Sequence, residues 1–221
     1  MFLKTGQLKK MMKDSLKRSD LYVGNVDNHY LVYSGSFGVY IDEVYASNKL
    51  KAAITELVGD LPASEECYLY MIAEDGKVTQ TRIYEYPDPF EDWKEAKEAA
   101  TATPVSLYSN AHEMFLFQGK NDLRFMAVRR CLTIDMFSVR ELDENVEHFP
   151  KYPSIRNGCV LYWKSETTIY WVGTDVLGER VREILFSHLK GMDFFESDWI
   201  EKRRPEEEGT DSKAADSQLP Y

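Results

Sequence analysis

Nothing in this 221-residue chain is apolar for long enough to cross a bilayer, since its hydrophobic runs last only a few residues. Met1-Phe2-Leu3-Lys4-Thr5-Gly6 leads straight into a lysine-rich pattern without the apolar stretch of a secretory signal. The expected location is therefore cytoplasmic. Cysteine is scarce: Cys67, Cys131 and Cys159 are odd in number, far apart and set in apolar or β-branched runs. They read as buried thiols in a reducing compartment, and no disulfide framework is needed. No Cys-x-x-Cys occurs and His29, His112, His148 and His188 stand singly, so the spacings of a structural zinc site are missing.

Catalytic signatures are equally sparse. Gly35-Ser36-Phe37-Gly38 has neither the third glycine nor the following helix and lysine of a phosphate cradle, and it reads as a hairpin turn. A Gly-x-Ser-x-Gly elbow and a recognisable Cys/His signature are both absent. Pro87-Asp88 with Asp92-Trp93-Lys94 has the residue types of a nuclease acid-acid-lysine set. Four residues around a proline-broken helix start cannot bring carboxylates from neighbouring strands, so that reading is discarded. Glu141, Asp143, Glu144, Glu147 and His148 crowd one segment, and on a helix Glu144 and His148 share a face at the spacing metal sites use. No second such segment completes a cage, and a solvated acidic turn is the simpler reading. No metal and no cofactor is expected, and the chain reads as non-enzymatic, with a metal-dependent enzyme at that acidic segment kept as an alternative.

What is present is enough for a core: 43% hydrophobic residues, among them 14 Tyr, 11 Phe and 4 Trp. Leu8, Met11, Met12 and Leu16 recur at helical spacing over Thr5 to Ser19, with Thr5 placed to cap. Three short strands follow at Leu21–Val23, His29–Tyr33 and Phe37–Ile41, parted by Asp27-Asn28 and Ser34-Gly35-Ser36. Leu50, Ala53, Ile54, Leu57 and Val58 make a second helix from Ser47 to Val58 with Gly59 as its stop. A hairpin from Glu66 to Tyr86 turns at Asp75-Gly76. Glu91 to Ala100 reads as an exposed helix in a connector ending at Pro104.

Beyond the connector, strands are expected at Val105–Tyr108, Met114–Gln118 and Leu123–Ile134, then a hairpin of Cys159–Lys164 and Thr167–Val172. A last helix is capped by Asp175 and stops at Gly191. The fold class is α+β, with short antiparallel strands, helices packed on one face and two loosely related halves. The expected division is 1–87, a connector at 88–104, a second half at 105–200, and a disordered tail at 201–221.

One asymmetry asks for a partner. The formal charge is −10, yet residues 1–19 hold Lys4, Lys9, Lys10, Lys13, Lys17 and Arg18 against Asp14 alone, a local +5 that leaves −15 on the remainder. Lys9, Lys10, Lys13 and Lys17 cluster opposite the Leu8, Met12 and Leu16 stripe, so the helix is apolar on one side and cationic on the other. Such a strip suits sequence-independent contact with nucleic-acid phosphates. The plainer alternative is a solvated helix face paired with acidic neighbours. A second candidate surface is the hairpin carrying Tyr162, Trp163, Tyr170 and Trp171: if its outer rings are exposed, it offers a peptide groove or a base-stacking platform.

The first half resembles one domain of the DNA sliding clamp family. The matching stretch is Phe2-Leu3-Lys4 as a first strand, the helix Gly6 to Arg18, the strands Leu21 to Ile41, then the helix Ser47 to Val58 and its hairpin to Tyr86. Clamp helices line a ring and present basic residues to duplex DNA while the outer sheets stay acidic. The resemblance thus implies that Lys9, Lys10, Lys13 and Lys17 face DNA. It departs beyond residue 104, where no clear pair of helices follows. The partners expected are duplex DNA, other proteins through the aromatic hairpin, and further copies of the chain as a homo-oligomer, with no membrane.

Overall fold

Among the described residues eleven strands are ordered by hydrogen bonding in one antiparallel sheet, several of them buried on both faces. The computed structural model describes residues 2–109, 111–137 and 152–195. In chain order the elements are α1 (Thr5–Lys17), β1 (Leu21–Val26), β2 (His29–Tyr33), β3 (Phe37–Asp42), α2 (Asn48–Val58), β4 (Glu66–Ile72), β5 (Val78–Ile83) and α3 (Pro89–Glu95). Then follow β6 (Glu98–Ser109), β7 (His112–Gly119), β8 (Phe125–Arg129), a 3-10 turn at Arg130–Leu132, β9 (Ser154–Arg156), β10 (Val160–Lys164), β11 (Thr168–Gly173) and α4 (Glu179–Leu189). The spatial order is β5-β4-β1-β2-β3-β11-β10-β9-β6-β7-β8. The fold is α+β, as expected. The late hairpin β10–β11 joins the halves by pairing β11 with β3, Tyr170 opposite Val39.

Several local expectations are corrected. Thr5 opens α1 without capping it: the cap position is Lys4, whose side chain makes no capping hydrogen bond. The Lys4 backbone N–H instead donates to the Met136 carbonyl at 2.7 Å, and Leu3 bridges Phe137, so the second half holds the start of this helix. α3 begins at Pro89, with Asp88 accepting from the N–H groups of Phe90 and Glu91, and it ends before Lys97. The expected connector divides between α3 and the first part of β6, a twelve-residue strand. β8 stops at Arg129 and gives way to the 3-10 turn. Asp175 caps no helix; it grips Arg129, and α4 starts at Glu179. Of the three thiols only Cys67 is buried, Cys131 is partly so and Cys159 is exposed.

One core draws residues from both sides of the expected connector. Leu8, Met12 and Leu16 of α1 and Leu50, Ala53 and Ile54 of α2 lie on the face carrying Leu21, Val23, Val32, Val39 and Ile41. Phe115, Phe117, Val128, Leu161, Trp163 and Tyr170 belong to the same cluster. Strand side chains alternate between faces, so a second cluster forms behind the sheet, where Leu31, Tyr40, Cys67, Tyr162 and Ile169 pack with Ala96 and Trp93. A third lies under α4, where Leu116, Phe125 and Ala127 meet Leu185, Phe186 and Leu189. Buried Gln118 ties down the chain after α4: its amide donates to the Met192 carbonyl at 2.7 Å and accepts from the Phe194 N–H at 2.9 Å.

These clusters predict an alkaline limit to stability. Burial pushes the Cys67 thiol from its usual 9.0 up to about 11, and Tyr40 and Tyr70 from 10.0 up to about 12. The unfolded chain then loses these protons first, so the stabilisation is complete below about pH 9 and is lost as pH rises through 12. Thermal melts across that window should show a falling midpoint.

Candidate nucleic-acid interface

The cationic strip of α1 is built by its buried side. Leu8, Met12, Ser15 and Leu16 fix the rotation of the helix against the core. At 100° per residue that rotation turns Lys10, Lys13 and Lys17 outward together, and all three are exposed. Lys9 sits a quarter turn round, at the boundary with α2. Its ammonium pairs with Glu56 of α2, so it staples the two helices together. The four lysines expected to act as one group therefore divide into three that face solvent and one that is neutralised. Glu56 was hidden from sequence reasoning because it lies 47 residues from its partner.

The outward three differ from most of the described arginines, which are held by carboxylates. Arg129 forms a two-pronged contact with Asp175, with Nη2 at 2.8 Å, and Arg130 reaches both Glu113 and Asp135 at 3.0 Å. Arg156 bridges Asp92 and Glu95 of α3, and Arg82 and Arg124 pair with Glu66 and Asp122. Among the described residues Lys17 meets only Asp14 at 4.0 Å, an exposed contact worth little. Lys10 and Lys13 have no ion-pair partner among the described residues. The mount is firm: besides the Lys4 tie, Gln7 Nε2 donates to the Cys131 carbonyl at 2.9 Å.

The aromatic hairpin is not the surface it was expected to be. Tyr162, Trp163 and Tyr170 are 3%, 2% and 0% exposed, and Trp171 is half-buried. Trp163 and Tyr170 face the main core among Phe117 and Phe137. Tyr162 and Trp171 face the other side, where α3 covers Tyr162 and brings Asp92 to it. One face of the hairpin is covered by the main core and the other by the cluster that includes α3, so no exposed ring pair is left for a groove or platform.

No group of three His, Cys, Asp or Glu side chains among the described residues could hold a metal ion. Glu141, Asp143, Glu144, Glu147 and His148 lie outside the described residues, as does the 201–221 stretch. Among the described residues no helix is long and apolar enough to cross a membrane.

No protein-family model matches this sequence, and no curated protein matches it. Among solved structures, a Helicobacter pylori β clamp bound to a DNA ligase peptide is similar at 8% identity and a TM-score of 0.31, over 83% of this chain and 68% of that one. A putative DNA polymerase III β subunit from Eubacterium rectale is similar at 9% identity and a TM-score of 0.31, over 84% and 67%. A sliding clamp from Bartonella birtlesii bound to griselimycin is similar at 8% identity and a TM-score of 0.29, over 81% and 66%. The chain spans about two thirds of the length of these clamps, and it is an α+β protein whose structural neighbours are bacterial sliding clamps at weak similarity.

Proposed function

We propose that this chain is a non-enzymatic binding protein that contacts the backbone of duplex DNA, without reading its sequence, through the outward face of α1. The observation that carries this reading is that, among the described residues, Lys10 and Lys13 have no ion-pair partner, with Lys17 beside them, in a chain of charge −10 whose described arginines are largely paired with carboxylates. Ammonium groups repeated along a rigid helix face can replace condensed counterions at successive phosphates, and nothing in that contact distinguishes bases. The acidic remainder opposes DNA elsewhere on the surface, which confines binding to this strip.

Fluorescence anisotropy with a mixed-sequence duplex, read over a salt series, tests this. Binding should weaken steeply with salt. Changing Lys10, Lys13 and Lys17 together to Glu should lower affinity at least tenfold and flatten the log-log salt slope by about 2–3, the share of three phosphate contacts. Lys9→Gln should change binding far less, because Glu56 already occupies that ammonium, while Glu56→Gln should strengthen it by freeing Lys9. Binding indifferent to the triple reversal, or none at low salt, rejects the reading.

A further inference from the structure

The two edges of the sheet are treated differently. At β8 the outer edge is met by Asp175, whose N–H donates to the Ala127 carbonyl at 2.8 Å. At β5 nothing among the described residues pairs with the outer edge, and from Val78 to Arg82 every residue is exposed. An open edge of this length offers a row of backbone donors and acceptors to another strand.

The hydrogen-bond phase says which groups are on offer. The hairpin closes with the Ala73 N–H donating to the Lys77 carbonyl and the Gly76 N–H to Ala73. With Thr79 opposite Met71 and Thr81 opposite Leu69, antiparallel alternation turns Thr79, Thr81 and Ile83 toward β4. The backbone groups of Val78, Gln80 and Arg82 therefore point out of the sheet.

We infer that this edge pairs with β5 of a second copy, antiparallel about a two-fold axis at Thr81. In that register Gln80 of each copy is opposite Arg82 of the other, so the outward groups meet one another. Exposed Val78 falls opposite Tyr84, whose ring is 81% exposed, and Lys77 falls opposite Glu85. Each contact occurs twice by symmetry. An axis at Arg82 would set that arginine against itself, and like charges directly opposed are destabilising; neither that axis nor one at Gln80 places a carboxylate opposite Lys77, as the Thr81 axis does. Lys77 turns from its local partner Asp75, at 3.2 Å on the exposed turn, to an equivalent carboxylate across the axis.

Sedimentation velocity of the full chain tests this. One strand pair makes a small interface, so a monomer–dimer equilibrium with Kd on the order of 10–100 µM is expected. Gln80→Pro removes an outward N–H that β4 does not use, so it should abolish the dimer while leaving the thermal midpoint nearly in place. Lys77→Glu should weaken the dimer about threefold to tenfold, and adding Glu85→Lys should restore it. A chain that stays monomeric to about 1 mM, or a dimer indifferent to the proline and to the charge swap, overturns the inference. Should the proline variant fail to fold, the charge swap decides alone.

Discussion

Trp163→Ala is expected to cost about 3–5 kcal/mol of folding stability, the range for removing a large aromatic from a packed core. The indole is 2% exposed and has Phe137 at 5.2 Å between ring centroids, with Phe117 and Tyr170 both at 5.9 Å. These rings come from β7, β10, β11 and residue 137, so no single element can collapse into the void. Tyr170 next to it donates its hydroxyl to the Leu132 carbonyl at 2.6 Å, which fixes the 3-10 turn and limits relaxation from that side. Urea unfolding of the variant should show a large drop in midpoint, and Trp163→Phe should recover part of it. A change within about 0.5 kcal/mol, the usual effect at a surface site, would return the hairpin to the list of binding surfaces.

Gly38→Ala should be the second severe change, at about 3 kcal/mol, near the top of the usual overpacking range. A methyl at this position would lie 1.9 Å from Cζ2 of Trp171, 2.2 Å from Cε2 and 2.4 Å from Cη2. Three atoms of a rigid ring cannot step aside as the end of a lysine could. The indole spreads over the glycine from the paired position on β11, with Tyr162 stacked alongside at 6.4 Å. It must leave its rotamer or push β3 and β11 apart, and that pairing joins the two halves. For a domain of this size the midpoint should fall by roughly 6–12 °C. In a Trp171→Ala background the same substitution should be close to neutral or mildly stabilising, since a strand glycine then gains backbone order. An equal loss in both backgrounds would show that the ring is not the cause.

Legibility of the fold followed the range of the interactions. α2 lies where its stripe predicts, because its signals are local: Ser47 accepts from the Leu50 N–H at 3.2 Å and Gly59 takes a φ of 97° at the other end. The hairpins at Asp27-Asn28 and Asp75-Gly76 were equally plain, with positive φ at Asp27, Asn28 and Gly76. The expected strand Val105–Tyr108 is the end of β6, whose first part escaped for a physical reason. Ala100, Thr101, Ala102 and Thr103 are buried although small and weakly hydrophobic, so no large apolar side chains mark them as core. They are strand because β7 pairs along nearly the whole segment and β9 takes its start, while Pro104 falls where the register shifts between Ala102 and Ser106. Asp175 misled in the same way: a good cap residue four positions before α4 is claimed by Arg129, 46 residues back.

Residue order by itself determined where the chain can coil or extend, and the separation of charge along α1, since helical period and side-chain type are properties of a few adjacent positions. Tertiary contact alone decided which charges and rings remain available. It gave Lys9 to Glu56, left Lys10 and Lys13 unmatched among the described residues, and made the tyrosine–tryptophan hairpin an inner part of the sheet. The reason is range: a carboxylate or a covering helix that comes from dozens of residues away neutralises or buries a group without leaving any mark in the residues next to it.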